Sequence, residues 1–229
     1  MIHIFVRHCN YSNASAHKTR PPWFSREKFF KILLNEKGVN ITVIFDGDPT
    51  DHFVSKTGAN IKLIEAGTEA MSFTKMLDYV MSLDIPDDDI VYFVEDDYLH
   101  IPGFSKILEE GFSTNVDYVT LYDHGDKYMP GYYEMYARGF HTQIVPTKSI
   151  HWRTTPSTTN TYAMKMSTLK RDLQFHYKYS KDCQITHDHE KFCALWNSGK
   201  SLISCIPAYS THCDFAGIAP IIDWNKMVE

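Results

Sequence analysis

Apolar and polar positions along the first half of the chain fall into blocks whose lengths and periods fit a repeated strand, helix, strand order. Ile2-His3-Ile4-Phe5-Val6 predicts a strand, Phe29 through Leu34 supplies the apolar stripe of a helix, and Ile41-Thr42-Val43-Ile44-Phe45 predicts a second, fully buried strand. Ile61-Lys62-Leu63-Ile64 predicts a third. Beyond Thr68, the residues Phe73, Met76, Leu77, Val80 and Met81 recur at i, i+3, i+4, i+7 and i+8, so a helix is expected with Thr68 as its N-cap and Glu69 in its first turn. Ile90-Val91-Tyr92-Phe93-Val94 then forms an unbroken β-branched and aromatic run that stops at Glu95-Asp96-Asp97. Such an order predicts an α/β fold with a mostly parallel central sheet flanked by helices.

After residue 100 the pattern loosens. A short helix is expected from Phe104 to Glu110 and a strand over Tyr118-Val119-Thr120-Leu121-Tyr122, followed by a polar, Tyr- and Thr-rich stretch from Asp123 to Thr159 that has the character of a binding loop. Two more helices, about Asn160 to Leu173 and Asp188 to Trp196, and a strand from Leu202 to Ile206 complete the reading. No repeat or linker interrupts it, so residues 1–229 are read as one domain.

Composition narrows the function classes. A formal charge of −5 lacks the basic footprint of a nucleic-acid binder, and 14% aromatic residues is too many for a disordered chain. No apolar run reaches the roughly 18 residues that span a bilayer, and the start, MIHIFVRHCN, lacks the regions of a secretion signal. The five cysteines form an odd set without a C-x-x-C pair, which fits free thiols in a reducing compartment. A soluble, cytoplasmic protein is expected, with peripheral membrane association as a variant.

Four constellations carry candidate chemistry. Glu95-Asp96-Asp97 stands at the carboxyl end of a buried strand, where open α/β sheets bind ligands, and three adjacent carboxylates repel one another unless a cation is near. The same residue types at Asp87-Asp88-Asp89 precede the strand and read as a solvated turn. Thr186-His187-Asp188-His189-Glu190 opens a helix; Asp188 is either a cap or an ionised general base, and the two imidazoles form only a weak metal pattern. His212, in Ser210-Thr211-His212-Cys213, follows the last expected strand. Phe45-Asp46-Gly47-Asp48-Pro49-Thr50 places D-x-D-x-T after a strand, a spacing that matches the first motif of haloacid-dehalogenase-type phosphatases, although no later acidic pair follows an apolar strand to close such a site.

Taken in order, these residues resemble a GT-A-fold glycosyltransferase that uses a nucleotide sugar. Val91 to Asp97 looks like the family's D-x-D element, with Glu95 in place of the usual first Asp. Thr186-His187-Asp188, leading to Ser198-Gly199, is similar to its x-E-D motif with His187 in place of Glu, and His212 stands where a C-terminal metal-binding His is found. The resemblance implies a nucleotide-binding half over 1–100 and an acceptor and catalytic half over 101–229. Arg7, Asn10, Asp46, Asp48, Gly67, Thr68, Glu95 and Asp96 would border the nucleotide. Asp97, His212 and Glu95 would hold a divalent cation, Mn²⁺ favoured over Mg²⁺ because of the imidazole. Asp188, with Glu190 as the other candidate, would take the proton from an acceptor hydroxyl, with inversion at the sugar.

The N-terminus of the helix after Gly67 offers N–H groups and a positive dipole end to the diphosphate. Asp123 and His124, with Trp152 and Arg153, would meet the acceptor, a carbohydrate or other hydroxyl compound, and a UDP-sugar is the favoured donor. A phosphatase built on Asp46 and Asp48 and a binding module without turnover are the other two readings.

Overall fold

The expected strands form because their side chains are apolar on both faces. In β1 (Ile2–Cys9), Ile2, Ile4 and Val6 pack into one core and Phe5 into another; in β4 (Ile90–Glu95), Tyr92 and Val94 share the first core and Val91 and Phe93 the second. β2 (Val39–Asp46) alternates in the same way, with Val43 and Phe45 opposite Ile44. Helices α1 (Arg26–Asn35) and α3 (Phe104–Phe112) cover the first face through Phe29, Phe30, Leu33, Phe104 and Leu108. On the second face lie α2 (Glu69–Met81), α4 (Met166–Lys178) and α5 (Asp188–Asn197), through Phe73, Leu77, Met166, Leu169, Phe192 and Leu195. A computed structural model describes residues 1–129 and 142–228 of this α/β/α arrangement.

The remaining strands are β3 (Asn60–Ile64), β5 (Tyr98–His100), β6 (Tyr118–Thr120), β7 (Ile144–Pro146), β8 (His151–Thr154), β9 (Tyr162–Lys165), β10 (Leu202–Ile206) and β11 (Ser210–His212). Nine of them make one sheet in the order β3-β2-β1-β4-β9-β6-β10-β8-β7. Only β9 and β8 run against the rest, so the sheet is mostly parallel, as the sequence suggests. Strand order turns outward on both sides of β1, towards β2 and towards β4, and this switch point opens a crevice at the carboxyl ends of the strands.

Three features depart from the sequence reading. The helix expected from Asn160 begins as β9, because Tyr162 pairs with β4 and Ala163 and Met164 pair with both β4 and β6; the helix starts only at Met166 and reaches Lys178. Its apolar pattern runs on from strand to helix with no turn residue between, so periodicity gave no boundary. The polar stretch from Asp123 to Thr159 holds β7 and β8, and its residues 130–141 lie outside the described residues. Finally, three-residue strands β5 and β11 form a separate antiparallel ribbon in which His212 pairs with Tyr98, and this brings the C-terminal histidine beside the acidic strand end.

Trp152, expected against the acceptor, is fully buried in β8, where its indole N–H donates to Thr147 Oγ1 at 3.0 Å. Trp152→Ala should therefore cost about 3–5 kcal/mol of stability, read by urea unfolding. A loss of under about 1 kcal/mol would mean that the ring is not a core group.

Candidate active site

The crevice is built where β1 and β4 lie side by side. Arg7 on β1 is in register with Glu95 on β4, and its guanidinium is buried between two carboxylates, 2.7 Å from Glu69 Oε1 and 2.9 Å from Glu95 Oε1. Burial works against the Arg7 charge, and Glu69 and Glu95 outweigh it. Burial likewise pushes Glu95 up to about 7, with Arg7 pulling it back. Glu69 stays below its ordinary range despite burial, because Arg7 and the N–H and hydroxyl of Thr186, at 2.7 and 2.9 Å, favour its charge. One carboxylate thus ties β1 and the start of α2 to the turn that precedes α5.

Each of the other acidic residues has its own cation. Asp96 Oδ2 lies 3.1 Å from Arg26 Nε and 3.4 Å from His8 Nδ1. Asp97 Oδ2 meets Lys18 Nζ at 2.8 Å, Arg20 Nη1 at 3.0 Å and His212 Nε2 at 3.2 Å. Burial would raise the Asp97 carboxyl, but His212 and Lys18 hold it well below the usual carboxylate range. His212 is itself fixed: its ring stacks on Tyr98 at 5.2 Å, and a Cβ at Gly217 would stand 2.5 Å from its Nδ1, so only glycine fits there.

The donor set does not fit a resident divalent ion as the side chains stand. Among the described residues no group of three or more His, Cys, Asp and Glu side chains is placed to hold a metal. Asp97 and His212 do adjoin, yet the Lys18 ammonium lies 2.8 and 2.9 Å from them, between the two would-be ligands. Glu95, the third expected ligand, is engaged with Arg7.

These residues border a cleft of about 760 Å³, a size that accommodates a nucleotide sugar. Arg7, Asp46, Gly67, Thr68, Glu95, Asp96, Asp97 and Asp188, all expected at the site, line it. Gly67, at φ +77°, makes the turn that a side chain would strain, and Thr68 Oγ1 accepts from the Met71 N–H as the expected N-cap. The helix end is less open to phosphate than the sequence implies, since the Ala70 N–H is directed at the Gln184 carbonyl at 3.4 Å.

Asn10 and Asp48 stand outside the cleft lining. The Asn10 amide donates to the Asp48 carbonyl at 2.7 Å, and the Asp48 carboxylate accepts from both the N–H and the hydroxyl of Thr50 in an exposed turn. Asp46 instead accepts from the Ala66 N–H at 2.8 Å. The two carboxylates that a phosphatase reading requires are not presented to one cavity.

Asp188 lines the cleft and also a second cavity of about 140 Å³ bordered by His124, Lys127, Ser157 and His189. Burial raises its carboxyl above the ordinary range, while Lys191 pulls it back. Glu190, the other candidate base, is exposed, lies 3.9 Å from His187 Nδ1 and lines neither cavity. Of the expected acceptor residues only His124 borders the second cavity. Asp123 and Arg153 form a buried ion pair with each other, completed by the Tyr128 hydroxyl on Asp123 at 2.5 Å.

Sequence reasoning did not single out Lys18, Arg20, Glu69 or Lys191 as site residues. The signal for the first two is their place in the segment after β1, since loops at the carboxyl ends of parallel strands carry function. Lys191, on the inner face of α5, is fully buried and donates to Asn160 Oδ1 at 2.7 Å and to the Tyr162 hydroxyl at 3.3 Å. Burial pushes its ammonium down to about 7, against the pull of Asp188 and Glu69.

No family model matches the chain, and no curated protein matches its sequence. Solved structures do share its fold. A CMP:2-keto-3-deoxy-manno-octonic acid synthetase complexed with CTP superposes with a TM-score of 0.52 and 11% identity over 90% of this chain and 92% of that one. Residues 1–349 of TarS from S. aureus give 0.51 and 14% over 91% of this chain, which spans 59% of that one. The 2-C-methyl-D-erythritol 4-phosphate cytidylyltransferase of Francisella tularensis gives 0.51 and 12% over 99% and 96%. At these identities the likeness shows the fold, a Rossmann-like sheet shared with nucleotide-handling enzymes.

The Lys191 environment yields a pH prediction. Between about pH 7 and the ordinary lysine value of 10.5, the unfolded chain binds a proton that the folded chain does not, so this group makes stability rise with pH across that window. Lys191→Met should remove the rise. Urea unfolding at pH 7 and pH 9.5 should then show the variant losing ground to the wild type at the higher pH; parallel curves would show that Lys191 keeps its proton in the fold.

Proposed function

We propose that this protein is a nucleotide-sugar-dependent glycosyltransferase that moves a sugar from a nucleoside diphosphate, with UDP favoured, to an acceptor hydroxyl. The observation that carries the reading is the position of Asp188 in a wall shared by two cavities of unequal size. The larger suits the donor and the smaller suits the acceptor. A carboxylate between them is placed to serve as base, and its raised pKa brings it nearer to the range in which a base is effective at neutral pH.

In this mechanism the acceptor oxygen attacks the anomeric carbon as Asp188 takes its proton. The bond from that carbon to the diphosphate breaks, and the electron pair leaves with the phosphate. Attack from the smaller cavity comes from the face opposite the leaving group, so the configuration inverts. Arg7 holds Glu69 and Glu95 in place, and Glu69 fixes the turn carrying Asp188 through Thr186. Lys127 has its ammonium buried at the smaller cavity with no hydrogen-bond partner among the described residues, and burial brings it down to about 8, so it still carries charge at pH 7. That favours an acceptor with a carboxylate or phosphate group. The five free thiols suit a reducing, cytoplasmic setting.

Nucleotidyl transfer is the second reading. It is favoured by Arg7 and Lys18 facing the cleft and by the fold shared with a CTP-bound synthetase and a cytidylyltransferase. It predicts pyrophosphate release from CTP, which the first reading does not.

A thermal-shift panel of UDP, GDP, dTDP, CMP and CTP comes first, because a ligand at 100 times its Kd adds about 2.7 kcal/mol. One nucleoside diphosphate should raise the melting temperature, and Asp188→Asn should keep that shift while losing about 10²- to 10⁴-fold in sugar transfer. Loss of both binding and transfer would make Asp188 structural, and no shift with any diphosphate would overturn the reading.

A further inference from the structure

We infer that Lys18, held between Asp97 and His212, is the cation that meets the donor's diphosphate, so that this site works without a divalent metal. The inference rests on the glycosyltransferase reading and names the electrophile of that same site.

The geometry begins with the position of the ammonium. Lys18 Nζ stands 2.8 Å from Asp97 Oδ2 and 2.9 Å from His212 Nε2. His212 Nε2 also stands 3.2 Å from the same Asp97 oxygen, so ammonium, imidazole and carboxylate meet in one cluster. The ammonium has three N–H donors and, among the described residues, meets only Asp97 and His212, so at least one N–H is left for a ligand in the cleft that Lys18 lines. Its side chain is 20% exposed, against 5% for Asp97, so of the two groups that line the cleft the cation is the more open.

Charge balance points the same way. Arg20 lies 3.0 Å from the same Asp97 oxygen and donates to the Cys213 carbonyl at 2.7 Å. Two cations on one carboxylate leave a net charge of about +1 at this corner, the same as a divalent ion bound to a single carboxylate. For a metal to take Asp97 it would have to expel two ammonium- or guanidinium-type partners from one buried oxygen. Neither neighbouring carboxylate offers an alternative, since Glu95 is held by Arg7 and Asp96 by Arg26. The frame is also rigid: His212 is stacked on Tyr98 and backed by Gly217, whose carbonyl accepts from the Tyr122 hydroxyl at 2.6 Å. A preorganised cation of this kind stabilises charge gathering on a departing diphosphate with no reorganisation during the step.

The test uses the full chain and three probes, UDP, GDP and dTDP, each measured by calorimetry in EDTA and again in Mn²⁺, with Mn²⁺ uptake followed separately by electron paramagnetic resonance. A diphosphate should bind with the same Kd, within about twofold, in both conditions, and Mn²⁺ alone should not bind at the site. Lys18→Met should weaken that diphosphate by about 10- to 100-fold while leaving the matching nucleoside unchanged, and Lys18→Arg should restore most of the loss. If diphosphate binding disappears in EDTA and returns with Mn²⁺, the inference fails while the transferase reading stands. If no diphosphate binds in either condition, both fail. Should Lys18→Met not fold, the comparison of wild type in EDTA and Mn²⁺ still decides.

Discussion

The arrangement of this protein depends on one buried guanidinium. Arg7 sits towards the carboxyl end of β1, and its two carboxylate partners come from different elements, Glu69 from the first turn of α2 and Glu95 from the end of β4. Removing one member of a buried ion triad leaves an uncompensated charge in the interior, which costs far more than the intact set contributes. The triad therefore has to be complete for β1, α2 and β4 to meet as they do. Because Glu69 also receives Thr186, the completed triad sets the position of the turn before Asp188.

Around this centre the acidic strand end is neutralised residue by residue. Glu95, Asp96 and Asp97 each meet a cation from the N-terminal part of the chain: Arg7, Arg26, and Lys18 with Arg20. Three adjacent carboxylates do need cations, as electrostatics demands, but the cations here are side chains. The short ribbon of β5 and β11 adds His212 to the same group.

Much of the architecture was legible in the sequence, because the strands nearest the centre are apolar on both faces and α2 carries a clear period and cap. β1, β2, β4 and the Thr68 cap lie where the pattern puts them. β9 was hidden because its apolar residues run directly into those of α4, and β5 and β11 are too short to show a period. At the site, residues at strand ends and helix starts were visible as motifs. Their partners were not: Lys18 and Asp97 are 79 positions apart, and Arg7 and Glu95 are 88 apart, so pairing them requires the fold. Trp152 and Arg153 show the converse error, in which residue types common at sugar sites serve the interior instead.

On the proposed reading, the place of Asp188 at both cavities carries a cost. A base that can activate an acceptor hydroxyl from the smaller cavity activates a water molecule there equally well, and a polar pocket of about 140 Å³ has room for water. On the proposed reading, an enzyme loaded with donor and lacking acceptor consumes that donor by hydrolysis. Fidelity then depends on how well the acceptor displaces solvent from this pocket, so selection for a well-fitting acceptor is at the same time selection against waste of the activated sugar.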